Sequence, residues 1–335
     1  MLNIIARLVA VASLLAPCLA SAEPITLKLS FFTSDRATAY QAVVKPFVDA
    51  VNREGGDRLK IVVYPSGTLG KVQRDLPQLV LQGGADIAFV VPGQNPELFT
   101  DNTVIELPGL YRNAREASLV YTRLVHANLL AGYDGFLPIV TVATDPEPIH
   151  SRKNIASLAD IRGQKIRANN PTGAVALAKL GALPIVLAFN ETAPAISAGA
   201  IDGATIPTAQ LFDVGVGRLV SNHYLLGTSS APLALLMTRR TFDGLPEEAK
   251  NIIRKYSGEW AVSRYAEVMA QADAKVVDEI KSDGRRHVVV PSPSDHDTAQ
   301  KLFKTIADDW SAVNAHNRAL FKSARDEIAK IRAEQ

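Results

Sequence analysis

The chain has 335 residues, a formal net charge of +2, 47% hydrophobic and 21% charged residues, and a single cysteine. Interspersed charges of such even balance do not suggest nucleic acid or an anionic membrane as partner. One cysteine excludes an internal disulfide, and the positive mean hydropathy, with no apolar run of span length beyond the N-terminus, predicts a soluble chain with a large core.

Taken in order, residues 1–22 hold one basic residue, Arg7, then an apolar run from Leu8 to Leu19 and Ala20-Ser21-Ala22 before Glu23. This pattern is a secretory signal peptide with a small-x-small cleavage site near Ala22, and its apolar core is short for a membrane span. Pro17 and the Ala-x-Ala site argue against a lipoprotein signal ending at Cys18. Cleavage removes the only cysteine, and with it any thiolate chemistry.

Ile25 to Phe31 alternates like a strand, and Tyr40, Val43, Val44, Phe47, Val48 and Val51 keep helical spacing. Lys60–Tyr64 and Ala85–Val91 read as strands around a helix over 71–82, so strand, helix, strand, helix, strand implies parallel pairing with right-handed crossovers. A helix over 114–131 precedes a strand over 137–143. Asp145-Pro146-Glu147-Pro148 cannot be regular structure, since each proline removes a donor and restrains its predecessor.

The most informative stretch runs from Gly163 to Gly203. Lys165-Ile166-Arg167-Ala168 is a strand leading to a helix at Pro171, which places Arg167 at a strand's carboxyl end, where open α/β sheets bind ligands. An arginine there presents a planar fork matched to a carboxylate. Leu183 to Phe189 is a second strand, and Asn190 a plausible helix N-cap. From Pro246 to Lys281 there is no proline and one glycine, which predicts a helix long enough to run along both halves of the molecule. His287–Val290 returns as a strand, and 297–333 is helical.

Several spaced pieces, Gly163-x-Lys165-Ile166-Arg167, Leu180-Gly181-Ala182-x-Pro184, Phe189-x-Glu191 and Gly199-x-x-Asp202-Gly203, together resemble the substrate-binding proteins of tripartite ATP-independent periplasmic (TRAP) transporters, the dicarboxylate-binding-protein (DctP) family. Tyr64-Pro65-Ser66-Gly67, Gly83-Gly84-Ala85-Asp86 and Leu107-Pro108-Gly109-Leu110 are similar to its first lobe, and the resemblance covers essentially the whole mature chain. It implies an α/β two-lobed periplasmic binding protein fold with mixed, mostly parallel sheets and a long helix shared by both lobes. The expected lobes are 23–143 with 229–268, and 144–228 with 269–335. It also implies a periplasmic location and delivery of an organic acid to membrane permease subunits, without ATP. A monomer is expected, with a dimer through the long helix as the alternative.

The resemblance makes Arg167 the carboxylate-binding residue, Asn170 a second donor to that carboxylate, and Phe189 an aromatic wall. By residue type alone each has a plainer reading: a weak surface ion pair, a turn or cap residue, and core. The chain departs from the sialic-acid and dicarboxylate members where a second arginine falls at Glu147, and where polar pocket positions become Phe32 and Ile206. Hydroxyls of a sugar acid would be left unpaired against such walls, at about 1–3 kcal/mol each. Phe32, Phe89 and Phe189 suit instead an apolar body carrying one carboxylate.

A nucleophile elbow, a P-loop and a zinc helix are absent from the sequence, and Asp295-His296-Asp297 reads as a helix start rather than a metal site. No cofactor is expected and no enzyme activity. The rival readings are a periplasmic sensor or scavenger of the same fold, and an unrecognised periplasmic enzyme.

Overall fold

The computed structural model describes residues 24–334, so the expected signal peptide and its cleavage site at Ala22 lie outside the described residues. Among the described residues eleven strands form two sheets: β1 Ile25–Ser30, β2 Leu59–Tyr64, β3 Ile87–Val90, β4 Phe136–Ala143, β5 Ile149–Ser151, β6 Lys165–Ala168, β7 Leu183–Val186, β8 Gly203–Thr205, β9 Asn222–Tyr224, β10 Pro232–Thr238 and β11 His287–Val289. The first sheet has the order β2-β1-β3-β10-β4 and the second β11-β9-β5-β8-β6-β7.

In the first sheet β1 lies parallel to both β2 and β3, as the alternating strand-helix pattern requires. β10 enters antiparallel between β3 and β4, because it arrives from the other lobe rather than through a helical crossover. The second sheet is likewise mixed, with β6 parallel to β7 and β8 and β5 antiparallel to β8 and β9. Phe31, Phe47, Phe89 and Phe136 anchor a large core around the first sheet. The second lobe has two smaller cores, one around Ile166 and Leu177 and one around Ile206 and Ile280.

Four connections join the lobes among the described residues, the last being residues 313–314, between the helix Pro293–Ala312 in the second lobe and the helix Ala315–Ala333 in the first. Residues 144–148 leave β4 for β5, and 225–231 return from β9 to β10. The two strands bind each other: Thr144 N donates to Ala231 O (3.0 Å), Glu147 N to Ser229 O (3.0 Å) and Thr228 N to Glu147 O (3.0 Å). The third connection is the helix Glu259–Ser282, which buries Val262, Tyr265 and Met269 in the first core and Val276 and Ile280 in the second lobe.

Two expectations about the C-terminal third need correction. The helix expected over 246–281 is broken at Gly258 into Glu247–Lys255 and Glu259–Ser282. Gly258 has φ +62°, its N–H donates to Ile139 O (3.1 Å), and a Cβ there would meet the His126 ring at 2.9 Å. A left-handed residue cannot continue a right-handed helix. The helix Ala315–Ala333, expected with the second lobe, buries Leu320, Ala324, Ile328 and Ile331 in the first-lobe core. Arg332 fixes it there by forking Glu116 at 2.6 and 2.9 Å.

Candidate functional site in the cleft between the lobes

Asn170 explains how the chain turns at the end of β6. Its Oδ1 accepts from Gly173 N (2.7 Å), capping the helix Pro171–Lys179. That turn fixes the end of the strand carrying Arg167, which is 1% exposed. Arg167 Nε donates to Leu187 O (3.0 Å), just past β7, and Nη1 to Thr205 O (3.0 Å), at the end of β8. Nη2 donates to Asn169 Oδ1 (2.7 Å). A guanidinium has five N–H groups. Three are used on partners that hold it rigid, and one N–H on each terminal nitrogen remains.

Arg167 lines a cavity between the lobes, together with Glu147, Phe32, Phe89 and Phe189. Glu147 reaches it from the hinge segment 144–148, is 3% exposed, and leaves its Oε2 without a hydrogen-bond partner. Burial pushes the Glu147 carboxyl up to about 7 although the Arg167 charge pulls it down. The same burial lowers Arg167 to about 10, against the opposing pull of Glu147 and then Glu191. The first lobe contributes an aromatic wall, where the Phe31 ring centroid lies 5.1 Å from Phe89 and 5.7 Å from Phe32, and Phe32 lies 5.8 Å from Phe89.

Of the residues expected in the pocket, Asn170 and Ile206 do not line it. Asn170 is fully buried as a helix cap, with Nδ2 unpartnered beside Gly93, where a Cβ would come within 3.0 Å of its own Cβ. Ile206 is buried in the second-lobe core, and its carbonyl bonds His150 Nε2 at 3.1 Å. Their neighbours Asn169 and Pro207 take the wall positions instead. Arg167 and Asn169 are two apart on an extended segment, so they share a face. Period two therefore selects Asn169, a signal present in the sequence.

Sequence reasoning also missed Gln73 and Asp213, which line the cavity from opposite lobes. Gln73 Oε1 accepts from Phe189 N (3.1 Å) while its Nε2 has no partner. Asp213 accepts from Thr38 N (2.9 Å) and Thr38 Oγ1 (3.0 Å), and burial raises its carboxyl to about 6. Thr172 Oγ1 donates to Glu106 Oε2 (2.9 Å), and Gln94 Nε2 to Asn169 O. Each of these bonds joins the first lobe to the second, so the lobes are closed on the cavity. Neither residue belongs to a local pattern: contacts over a hundred residues apart carry no periodicity.

Among the described residues no group of three or more His, Cys, Asp or Glu is placed to hold a metal ion. Asp295 accepts from Leu158 N (3.0 Å) and the Tyr224 hydroxyl (2.9 Å), near the start of the helix Pro293–Ala312. His150 and His223 are buried with their Nδ1 atoms 2.8 Å apart, a contact within the β5–β9 pair. No helix among the described residues is long and apolar enough to cross a membrane.

Residues 29–312 match the sequence model of the bacterial extracellular solute-binding proteins, family 7. The 2,3-diketo-L-gulonate-binding periplasmic protein of Escherichia coli K12 is 24% identical over 290 residues, 82% of this chain and 84% of that protein. A TRAP solute-binding protein of Rhodoferax ferrireducens, solved with copurified benzoate, superposes with a TM-score of 0.85 at 24% identity, over 91% of this chain and 98% of that one. One from Bordetella bronchiseptica, solved with (R)- and (S)-mandelate, gives 0.82 at 19%, over 92% and 100%.

Proposed function

As the chain belongs to family 7 of the bacterial extracellular solute-binding proteins, we propose that it captures a monocarboxylate with an aromatic or aliphatic body in the periplasm and delivers it to TRAP permease subunits. The observation that carries this reading is the cavity between the lobes, where Arg167 keeps two N–H groups uncommitted opposite the Phe32 and Phe89 wall. The carboxylate sits on the Arg167 fork and the body lies against the rings of Phe32, Phe89 and Phe189. Benzoate and mandelate, bound by the similar structures, are acids of this shape.

The mechanism is capture by closure. A ligand that touches both lobes favours the closed state by its differential affinity, and the two hinge strands and the helix Glu259–Ser282 guide the motion. Gln73 to Phe189 and Thr38 to Asp213 are the bonds that closure makes. The chain acts as a binder rather than an enzyme, and the transport step belongs to the permease.

Thermal unfolding of the chain from Glu23 onward, against aromatic, fatty, dicarboxylic and sugar acids, tests the reading. A ligand at about a hundred times its dissociation constant adds about 2.7 kcal/mol and raises the midpoint. Aryl or alkyl acids should do so and Arg167→Ala should abolish the response. Stabilisation by sugar or dicarboxylic acids alone would discard the monocarboxylate pocket.

A further inference from the structure

This inference rests on the reading of the cavity as a carboxylate site. The groups that face Glu147 come from every element around it. Arg167 lies on β6, Glu106 ends the helix Thr103–Glu106, Tyr265 is on the long helix, Asp145 stands two residues back in the hinge, and Asp213 lines the same cavity. Among these only Arg167 is cationic. Its charge balances Glu147, so an arriving carboxylate adds a negative charge that nothing in the buried site offsets, which is costly away from water. Asp145 is held by Ala114 N (2.8 Å) and Glu106 by Thr172, and neither lines the cavity.

We propose that the cavity takes its carboxylate together with one proton from solvent, held on Glu147, so that Oε2 becomes a hydrogen-bond donor to the ligand. Net charge is then conserved inside the site. The donors are also sufficient: two N–H groups of Arg167, the unpartnered Nε2 of Gln73 and the Glu147 O–H can cover the lone pairs of one carboxylate. The hinge backbone fixes where that donor stands, since both Glu147 N and O are bonded to the return strand. Burial already raises the Glu147 carboxyl to about 7, so little work is needed to load the proton.

The test is titration calorimetry of the full mature chain with benzoate from pH 5.5 to 8.5, in buffers of different ionisation enthalpy. Benzoate stays ionised throughout. Affinity should fall by up to about tenfold per pH unit above about pH 7, with uptake approaching one proton at pH 8. Asp213, raised to about 6, titrates below that point. Glu147→Gln carries a permanent amide donor and should bind without the fall in affinity above pH 7 and without proton uptake at pH 8, at least as tightly as wild type at that pH. Binding with no uptake, or with proton release, overturns the proposal and leaves the carboxylate reading intact. Uptake that persists in Glu147→Gln transfers the proton to another group, Glu106 first, and also overturns it. No binding of benzoate at any pH removes the aryl-carboxylate reading and this proposal together. The calorimetric uptake is read on the wild-type chain, so the proposal stays testable if the variant folds poorly.

Discussion

The two sheets are built on different principles. The first has strands of four to eight residues, and all seven residues of β10 are buried, so ladder bonds and apolar packing hold it. The second has strands of only three or four residues and buries His150, Ser151, Arg167, Thr205, Asn222 and His223 within them. Such short strands make few ladder bonds, and side chains complete the work. Arg167 ties the ends of β7 and β8, and His150 bonds Ile206 O just beyond β8. In the second lobe one group that holds the sheet, Arg167, therefore also lines the cavity. In the first lobe the wall is a surface of the core, and its contribution to binding is separable from the sheet's own stability.

Arg167→Ala should give the largest effect and bears directly on this contrast. It leaves the carbonyls of Leu187 and Thr205 unsatisfied and Glu147 buried without its cation, so chemical denaturation should show a loss of about 3–5 kcal/mol. The loss should shrink at pH 5.5, where Glu147 is neutral, and the response to organic acids should vanish with it. Phe89→Leu probes the other lobe. Phe89 is 1% exposed, and leucine keeps an apolar side chain of similar size, so stability should fall by less than about 1.5 kcal/mol. Affinity for an aryl acid should still drop by about 0.5–1.5 kcal/mol, the worth of an aromatic contact, measured by calorimetry. Equal destabilisation by the two variants would erase the distinction between the lobes.

The same contrast governs what was legible in the sequence. β1 and β2 alternate over part of their length, so they follow from periodicity within a residue or two. Arg167 was placed correctly at a strand end because Pro171 and Asn170 mark the helix that follows. Asn170 takes the cap role that its residue type alone suggested, and Asn169, in phase with Arg167, lines the cavity. The hinge position of Glu147 was hidden by the two flanking prolines, which forbid a periodic reading and leave only tertiary pairing with Thr228 and Ser229 to define it. The break at Gly258 depends on a backbone bond to Ile139, and the docking of Ala315–Ala333 on Glu116, over two hundred residues away. No local pattern carries either.

The smallest predicted effect is a pH dependence of stability with a definite sign. Glu147 and Glu106 are raised by burial to about 7 and about 8, so they hold protons in the folded chain that the unfolded chain has already released. Their contribution is present at lower pH and lost as pH rises through those values. His150 and His223 are depressed, chiefly by burial, to about 3 and about 4, so their contribution is present above the ordinary imidazole value of about 6.5 and lost as pH falls. Below about pH 6.5 the two sets oppose each other, with Asp213 on the carboxyl side, and the stability curve should flatten. Between about pH 6.5 and 8 the unfolded histidines lose their remaining protons, and the two raised carboxyls make the larger contribution. The unfolding midpoint of the ligand-free chain should therefore fall as pH rises across that window, and Glu147→Gln should reduce the slope. A midpoint that rises with pH there would mean that these carboxyls are ionised in the folded chain, and that the cleft carries its charges in a wetter setting than its burial implies.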